Sequence, residues 1–185
     1  MLGIRHRLLM FRCEGDVGST NIQIRRLMPG DAGRYRELRL EALQRNPEAF
    51  GSTFEAENAE PLAFFSGRLE SSEVFGAFHD SQLVGVAGLL IQKDRKEAHK
   101  GYLWGMYVRP AARKSGVGRR LAEAIIECAK RCVEIIQLAV VSDNEPARRL
   151  YTSLGFLEYG VERKALKHHD RYYDEVLMAM DLRTE

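Results

Sequence analysis

Residues 107–121 read YVRPAARKSGVGRRL, and three kinds of local signal follow one another in this segment. The apolar run ending at Val108 predicts a strand, Gly116 and Gly118 predict a tight loop, and an amphipathic pattern after Gly118 predicts a helix. Amide groups in such a loop and in the first turn of the next helix have no partners of their own, so they form an anion site. A phosphate group is the ligand that this arrangement favours.

The glycine pair alone is also compatible with a plain turn between a strand and a helix. Two nucleotide-binding patterns can be compared with the segment directly. The P-loop pattern GxxxxGK[ST] is absent, and the dinucleotide pattern GxGxxG fails because Leu121 stands where the third glycine belongs. Nucleotide hydrolysis and a Rossmann fold are therefore both disfavoured.

Composition narrows the class of protein further. The chain has 185 residues, of which 45% are hydrophobic, and 28 Lys and Arg residues against 26 Asp and Glu residues give a formal charge of +2. This balance disfavours a nucleic-acid-binding protein, and the apolar runs are far shorter than the roughly 20 residues of a membrane helix. Cys13, Cys128 and Cys132 form no CxxC pair, so neither a disulfide framework nor a cysteine metal site is expected. We expect a cytoplasmic protein.

The patterns predict a flexible extension over residues 1–20 and one domain over residues 21–185. Within the domain, helices are predicted from residue 31 to residue 46 with Asp31 as N-cap, and over 56–69, 118–133 and 146–154. In the second of these, Pro61 can only lie in the first turn or break the helix. Strands are predicted near 22–25 and over 74–78, 83–91, 102–108, 135–141, 159–166 and 172–182. The strand over 135–141 is expected to be buried on both faces. Strands and helices alternate but hairpins also occur, so the predicted fold class is α/β with a mixed sheet.

A second motif lies after the predicted strand at 135–141. Residues 144–156 read NEPARRLYTSLGF, which resembles the Asn-x-x-Ala-x-x-Leu-Tyr-x-x-x-Gly-Phe segment of the GNAT superfamily of acetyl-CoA-dependent N-acetyltransferases. The signature loop of that superfamily consists of Arg or Gln, two residues, Gly, one residue, then Gly or Ala. Residues Arg113-Lys-Ser-Gly-Val-Gly118 resemble this loop at every fixed position. The resemblance covers residues 21 to 182 and implies a mostly antiparallel sheet with splayed central strands.

The resemblance also implies where acetyl-CoA binds. The strand ending at Val108 would separate from residues 135–141, pantetheine would lie in the opening, and the diphosphate would rest on the amides of the loop. The residues expected to bind the cosubstrate are Met106, Tyr107, Val108, Arg113, Lys114, Ser115, Gly116, Val117, Gly118, Arg119, Asn144, Ala147 and Tyr151.

Tyr151 has two interpretations. It lies on one helical stripe with Ala147, Leu150 and Leu154, which is typical of a core aromatic residue. By resemblance to the family, its phenol would be the catalytic acid that donates a proton to the departing CoA thiolate.

No general base can be assigned. Many family members carry a glutamate on the strand before the signature loop, whereas residues 101–107 read GYLWGMY. Four other groups are candidates, each also compatible with an ordinary surface role: Glu41, Glu55, His99 and Asp143. Trp104 and Tyr102 would line an acceptor pocket or fill the core, and His168 and His169 offer too few ligands for a metal site. No metal is expected.

The sequence therefore predicts an N-acetyltransferase that moves the acetyl group of acetyl-CoA to a primary amine by direct attack in a ternary complex. Two alternatives remain: an acyltransferase for a longer acyl-CoA, and a non-catalytic acyl-CoA-binding sensor or partner protein. A homodimer is also predicted, both from the resemblance and from an apolar row in the last strand, which consists of Val176, Met178, Met180 and Leu182.

Overall fold

The computed structural model describes residues 21–183, so the predictions for residues 1–20, including Cys13, lie outside the described residues. The strands are β1 (Ile22–Arg26), β2 (Glu73–His79), β3 (Gln82–Ile91), β4 (Lys100–Val108), β5 (Ile135–Val141), β6 (Leu157–His168) and β7 (Arg171–Asp181). The helices are α1 (Ala32–Arg45), α2 (Phe54–Asn58), α3 (Leu62–Ser71), α4 (Val117–Ala129) and α5 (Glu145–Ser153).

The strands form one mixed sheet in the order β1-β2-β3-β4-β5-β7-β6, which confirms the predicted fold class. Among the described strands, β4 and β5 make the one parallel pair. Their pairing begins at Lys100 with Ile135 and ends at Tyr102 with Gln137. Beyond these three positions the two strands are unpaired with each other, and a cleft opens between them.

A β-bulge lies on β4 beside this cleft. Val86 pairs with Tyr107 and Gly88 pairs with Trp104, so β4 has one residue more than β3 over the same length. Gly105 has a φ of +63°, a conformation that glycine adopts without a steric penalty. The bulge therefore turns the end of β4 away from the regular sheet at the point where the cleft begins.

Helix α1 confirms the predicted apolar stripe, because Tyr35, Leu38, Ala42 and Leu43 are all buried. Asp31 is the N-cap residue of α1, as predicted, but its side chain does not cap the helix. Its carboxylate makes no capping bond to α1 and instead accepts hydrogen bonds from the guanidinium of Arg25 and the amide of Met28.

The single helix predicted over residues 56–69 is two helices. Thr53 caps α2 by accepting a hydrogen bond from the amide of Ala56 at 3.2 Å, and α2 ends at Asn58. Pro61 is the residue before α3 and has the extended ψ of 161°. Proline cannot donate a helical hydrogen bond, which explains the break.

Helix α4 ends at Ala129, four residues before its predicted end at Val133. Cys128 lies within the helix and is buried, whereas Cys132 lies in the turn that leads to β5 and is exposed. The two cysteines do not share one helical stripe, because the 3.6-residue period does not continue past the helix end.

The predicted burial of β5 on both faces is also wrong. Ile136, Leu138 and Val140 are buried in the main core, while Ala139 is exposed on the opposite face. Ala139 is exposed because it lines the cleft.

The apolar row on β7 packs into its own chain. Val176 and Met178 are buried in the main core, and Met180 and Leu182 pack against it. Val176 and Met178 therefore offer no surface to a second copy, Met180 and Leu182 are partly exposed, and the homodimer stays a prediction. Within residues 21–183 no helix is long and apolar enough to cross a membrane.

Candidate active site

The cleft between β4 and β5 is the centre of the candidate site. It has a volume of about 110 Å³ and lies beyond the last paired residues of the two strands. Its lining comes from both strands, from the segment after α1 and from α5, and comprises Ala49, Phe50, Leu103, Trp104, Gly105, Met106, Leu138, Ala139, Val140, Val141, Asn144, Ala147 and Tyr151. Strand edges without a partner expose amide and carbonyl groups, so an extended chain that contains amides can bind there.

The loop 113–118 leads from the end of β4 into α4. Lys114 has a φ of +64° and Gly116 a φ of +80°, which turn the chain sharply before the helix begins. The amide of Arg120 makes the first bond of the helix, to the carbonyl of Gly116 at 3.0 Å. The amides of residues 117–119 are therefore the unpaired donors of the first turn, as an anion site requires.

Several side chains of the loop stabilise its shape. The Arg113 guanidinium donates from Nε to the carbonyl of Val108 at 2.9 Å, and the Ser115 hydroxyl donates to the carbonyl of Ala112 at 2.8 Å. Arg119 donates to the Ser153 hydroxyl at 2.6 Å and so connects α4 to α5. The ammonium group of Lys114 has no ion pair with any residue from 21 to 183 and is exposed, so it is the cation that can turn toward an anion.

Val117 and Gly118 place the first turn of α4. Val117 is buried in the main core and anchors the helix there. A Cβ atom built at Gly118 would lie 3.5 Å from Leu150 Cδ2. Glycine at this position therefore leaves the surface above the helix start open to a ligand.

Asn144, Ala147 and Tyr151 all line the cleft from α5. Asn144 also caps the helix, since its side-chain oxygen accepts a hydrogen bond from the amide of Ala147 at 3.3 Å. The Tyr151 ring is 4% exposed and packs edge to face on Phe156 with the centroids 5.7 Å apart. Burial raises the pKa of the Tyr151 phenol, so the hydroxyl stays protonated at neutral pH.

The three residues at the end of β4 differ in where they point. Met106 lines the cleft. Tyr107 is buried on the α1 side, where its hydroxyl donates to Glu41 Oε1 at 3.0 Å, and the Val108 side chain packs against the main core. Any contact of Tyr107 or Val108 with a ligand in the cleft would thus involve their backbone.

The four candidate bases lie in different places. Glu41 accepts a hydrogen bond from Arg109 Nε at 2.8 Å in addition to that from Tyr107, and Asp143 pairs with Arg171 at 3.2 Å. Glu55 is exposed in the first turn of α2. His99 lines a separate groove with Lys130 and Cys132. The structure brings none of these four side chains into the lining of the cleft.

Trp104 lines the cleft, and its indole lies flat on β3. A Cβ atom at Gly88 would be 2.5 Å from the ring, so only glycine allows this contact. His168 and His169 stack in the turn between β6 and β7, and no group of three metal-binding side chains occurs in the part of the chain that the structure describes.

Sequence reasoning missed a buried charged cluster next to the cleft. Arg39 and Glu57 are 5% and 3% exposed, and Arg68 joins them with an Nη1 to Oε2 distance of 3.1 Å. Burial alone would raise the pKa of Glu57, but the hydrogen bonds and charges of the two arginines hold this pKa below its usual range. The signal was present, because Arg39 lies four residues after Tyr35 on the apolar stripe of α1.

Comparisons with known proteins agree with this geometry. The sequence profile of the acetyltransferase (GNAT) family matches residues 36–156. The chain is 32% identical to N-alpha-acetyltransferase RimI of Mycobacterium tuberculosis over 123 residues, which cover 65% of this chain and 76% of the relative.

Solved structures give the same fold. yncA of Salmonella typhimurium, described as a putative acetyltransferase with its cofactor acetyl-CoA, superposes with a TM-score of 0.74 at 22% identity, covering 89% of this chain and 96% of that one. A probable acetyltransferase of Staphylococcus epidermidis superposes with a TM-score of 0.72 at 26% identity, covering 86% and 98%.

Proposed function

Because the chain belongs to the acetyltransferase (GNAT) family, we propose that it transfers the acetyl group of acetyl-CoA to a primary amine of a small molecule or peptide. The observation that carries this proposal is the cleft, where β4 and β5 lose their pairing next to a loop that presents unpaired amides. Both features suit the same elongated ligand, since in acetyl-CoA an amide-containing pantetheine arm is joined to a diphosphate.

The residues of the chain fit acetyl-CoA in two ways. The free edges of β4 and β5 offer amide and carbonyl groups to the pantetheine amides. The amides at the start of α4, with Lys114 beside them, offer donors and a positive charge to the diphosphate. The thioester of acetyl-CoA supplies the activated acetyl group.

Tyr151 is proposed as the catalytic acid. Its phenol lines the cleft and makes no hydrogen bond to any residue from 21 to 183, so the proton is free to be donated. Burial raises the pKa of the phenol, so the hydroxyl carries its proton at neutral pH, which is the form that a general acid requires.

The amine would attack the thioester carbonyl directly while both substrates are bound, without a covalent acyl-enzyme. The cleft contains no cysteine and no serine in its lining to act as a nucleophile. Positioning of the two reactants then supplies much of the rate enhancement. The RimI relative, named as an N-alpha-acetyltransferase, supports an amine as the acceptor.

Two measurements test the proposal. Acetyl-CoA should raise the melting temperature, because a ligand that binds only the folded state stabilises it. Release of free CoA over a panel of amines, amino acids and peptides should then identify an acceptor. Binding of acetyl-CoA with no turnover across the panel would instead favour an acyl-CoA-binding sensor, which the absence of a carboxylate from the cleft lining keeps as the second candidate.

A further inference from the structure

One nitrogen of the Arg39 guanidinium, Nη1, makes no hydrogen bond to any residue from 21 to 183. Nε and Nη2 donate to the Glu57 carboxylate, with distances of 3.1 Å to Oε2 and 2.9 Å to Oε1. Nη1 is buried. A buried donor without an acceptor lowers the stability of the folded protein, so this atom requires an explanation.

Arg39 Nη1 lies directly behind the residues that line the cleft. A Cβ atom built on Gly105 would be 3.9 Å from Arg39 Nη1, and Gly105 belongs to both the bulge of β4 and the lining of the cleft. The absence of a side chain at residue 105 leaves this approach open. Phe50, which also lines the cleft, stacks its ring 4.8 Å from Arg39 Cζ.

The charges of the cluster do not balance. Arg39 and Arg68 contribute two positive charges, and Glu57 contributes one negative charge. The hydroxyl of Tyr35, which accepts from Arg68 Nη1 at 3.4 Å, is neutral because burial raises its pKa. One positive charge thus remains on the cluster, whose Arg39 is buried and whose Arg68 is partly exposed, and a charge-assisted hydrogen bond to an anion would compensate it.

From these observations we propose that Arg39 is a specificity-determining residue that binds a carboxylate of the acceptor through Nη1. The acceptor is then an amino-carboxylic acid, such as a free amino acid, whose amine lies a few bonds from the carboxylate. Phe50 belongs to the irregular segment between α1 and α2, and the proposal requires its ring to turn aside from the guanidinium. This inference rests on the proposed amine acetylation and narrows its substrate class.

The first test compares matched acceptors on the intact protein. Free CoA release is measured with a panel of L-amino acids, with the corresponding L-amino acid amides and with spermidine. We expect kcat/KM for the best amino acid to exceed that of its amide by about tenfold to a hundredfold, the range of one charge-assisted hydrogen bond. Equal rates for amides or spermidine would overturn the role of Arg39, although amine acetylation itself would stand.

The second test uses Trp104, which is the only tryptophan of the chain and lines the cleft. Its ring lies 5.6 Å from Arg68 Cζ, so a ligand at the cluster should change its fluorescence. An L-amino acid that is a substrate should give a saturable change without acetyl-CoA, and the amide should not. A flat titration with every amino acid would contradict the inference, and this readout does not depend on turnover.

The third test replaces the guanidinium. Arg39→Lys keeps the charge opposite Glu57 but loses the fork that places Nη1, so KM for the amino acid should rise at least tenfold while the acetyl-CoA-induced melting shift is unchanged. Arg36→Lys is the matched control, because Arg36 lies one turn earlier, donates its hydrogen bonds to Asn58 and contacts the Phe65 ring, away from the lining of the cleft. An equal fall in kcat for all amines would indicate that Arg39 acts on the acetyl thioester and not on the acceptor carboxylate, which would overturn the proposal. If Arg39→Lys does not fold, the two wild-type tests decide.

Discussion

Tyr151 combines a packing role with an unused hydroxyl group. Its ring contacts Phe156 in the main core, and its phenol lies in the lining of the cleft. The two roles predict opposite consequences for the loss of the hydroxyl, which makes this residue the most informative position for mutagenesis.

Tyr151→Phe should preserve the melting temperature and the affinity for acetyl-CoA, because the ring and its packing remain. Single-turnover rates with a verified acceptor should fall by roughly 10²–10⁴-fold, the range for a lost general acid. Tyr159→Phe is the control, since Tyr159 is exposed on β6 outside the cleft. An unchanged chemical step would leave Tyr151 as a packing residue, and Tyr151→Ala would then only destabilise the fold, by about 3–5 kcal/mol.

Asp31 predicts a pH dependence of stability. Hydrogen bonds from Arg25, with a smaller contribution from the amide of Met28, lower the pKa of Asp31 to about 2. A lowered folded-state pKa stabilises the fold above the ordinary pKa of the group, and this contribution is lost as the pH falls from about 4 toward 2. Asp31→Asn should therefore reduce the free energy of unfolding at pH 7 by on the order of 1–2 kcal/mol. Urea unfolding should give a smaller difference at pH 2, and a difference independent of pH would refute the explanation.

At the scale of elements, the start of α4 is open to a test that separates binding from folding. Gly118→Leu should abolish the melting shift produced by acetyl-CoA, because the added side chain would occupy the space above the unpaired amides. Gly33→Leu is the matched control: Gly33 is likewise the second residue of its helix, and a Cβ there has no atom within 4 Å. A folded Gly118→Leu protein that still binds acetyl-CoA normally would place the diphosphate elsewhere.

The elements that sequence predicted well are those whose signal is local. Helix α1 depends on the period of its apolar side chains, and strand β5 depends on a continuous run of apolar residues in the sequence. The end of α4 was predicted four residues too late, and the break before α3 was left open. In both places the pattern of apolar side chains was compatible with more than one helix end. The charged cluster was missed because Arg39, Glu57 and Arg68 come together only through the packing of three helices.

At the scale of the whole molecule, the predicted homodimer needs a surface other than β7. Strand β6 lies at the edge of the sheet and exposes Leu157, Tyr159 and Val161. We expect light scattering at micromolar concentration to give the mass of a dimer, and Leu157→Lys, at a side chain 74% exposed, to shift it toward the monomer. A monomeric wild-type mass would show that the prediction of a dimer is wrong.

The short pairing of β4 with β5 also has a consequence for cooperativity. Strands β1–β4 come from residues 22–108 and strands β5–β7 from residues 135–181, so each half of the sheet is contiguous in sequence and only three residue pairs connect their backbones. Native-state hydrogen exchange should therefore resolve two opening units with different protection. Acetyl-CoA, bridging both free edges, should merge them into one. A single opening free energy without ligand would mean that side-chain packing alone couples the two halves.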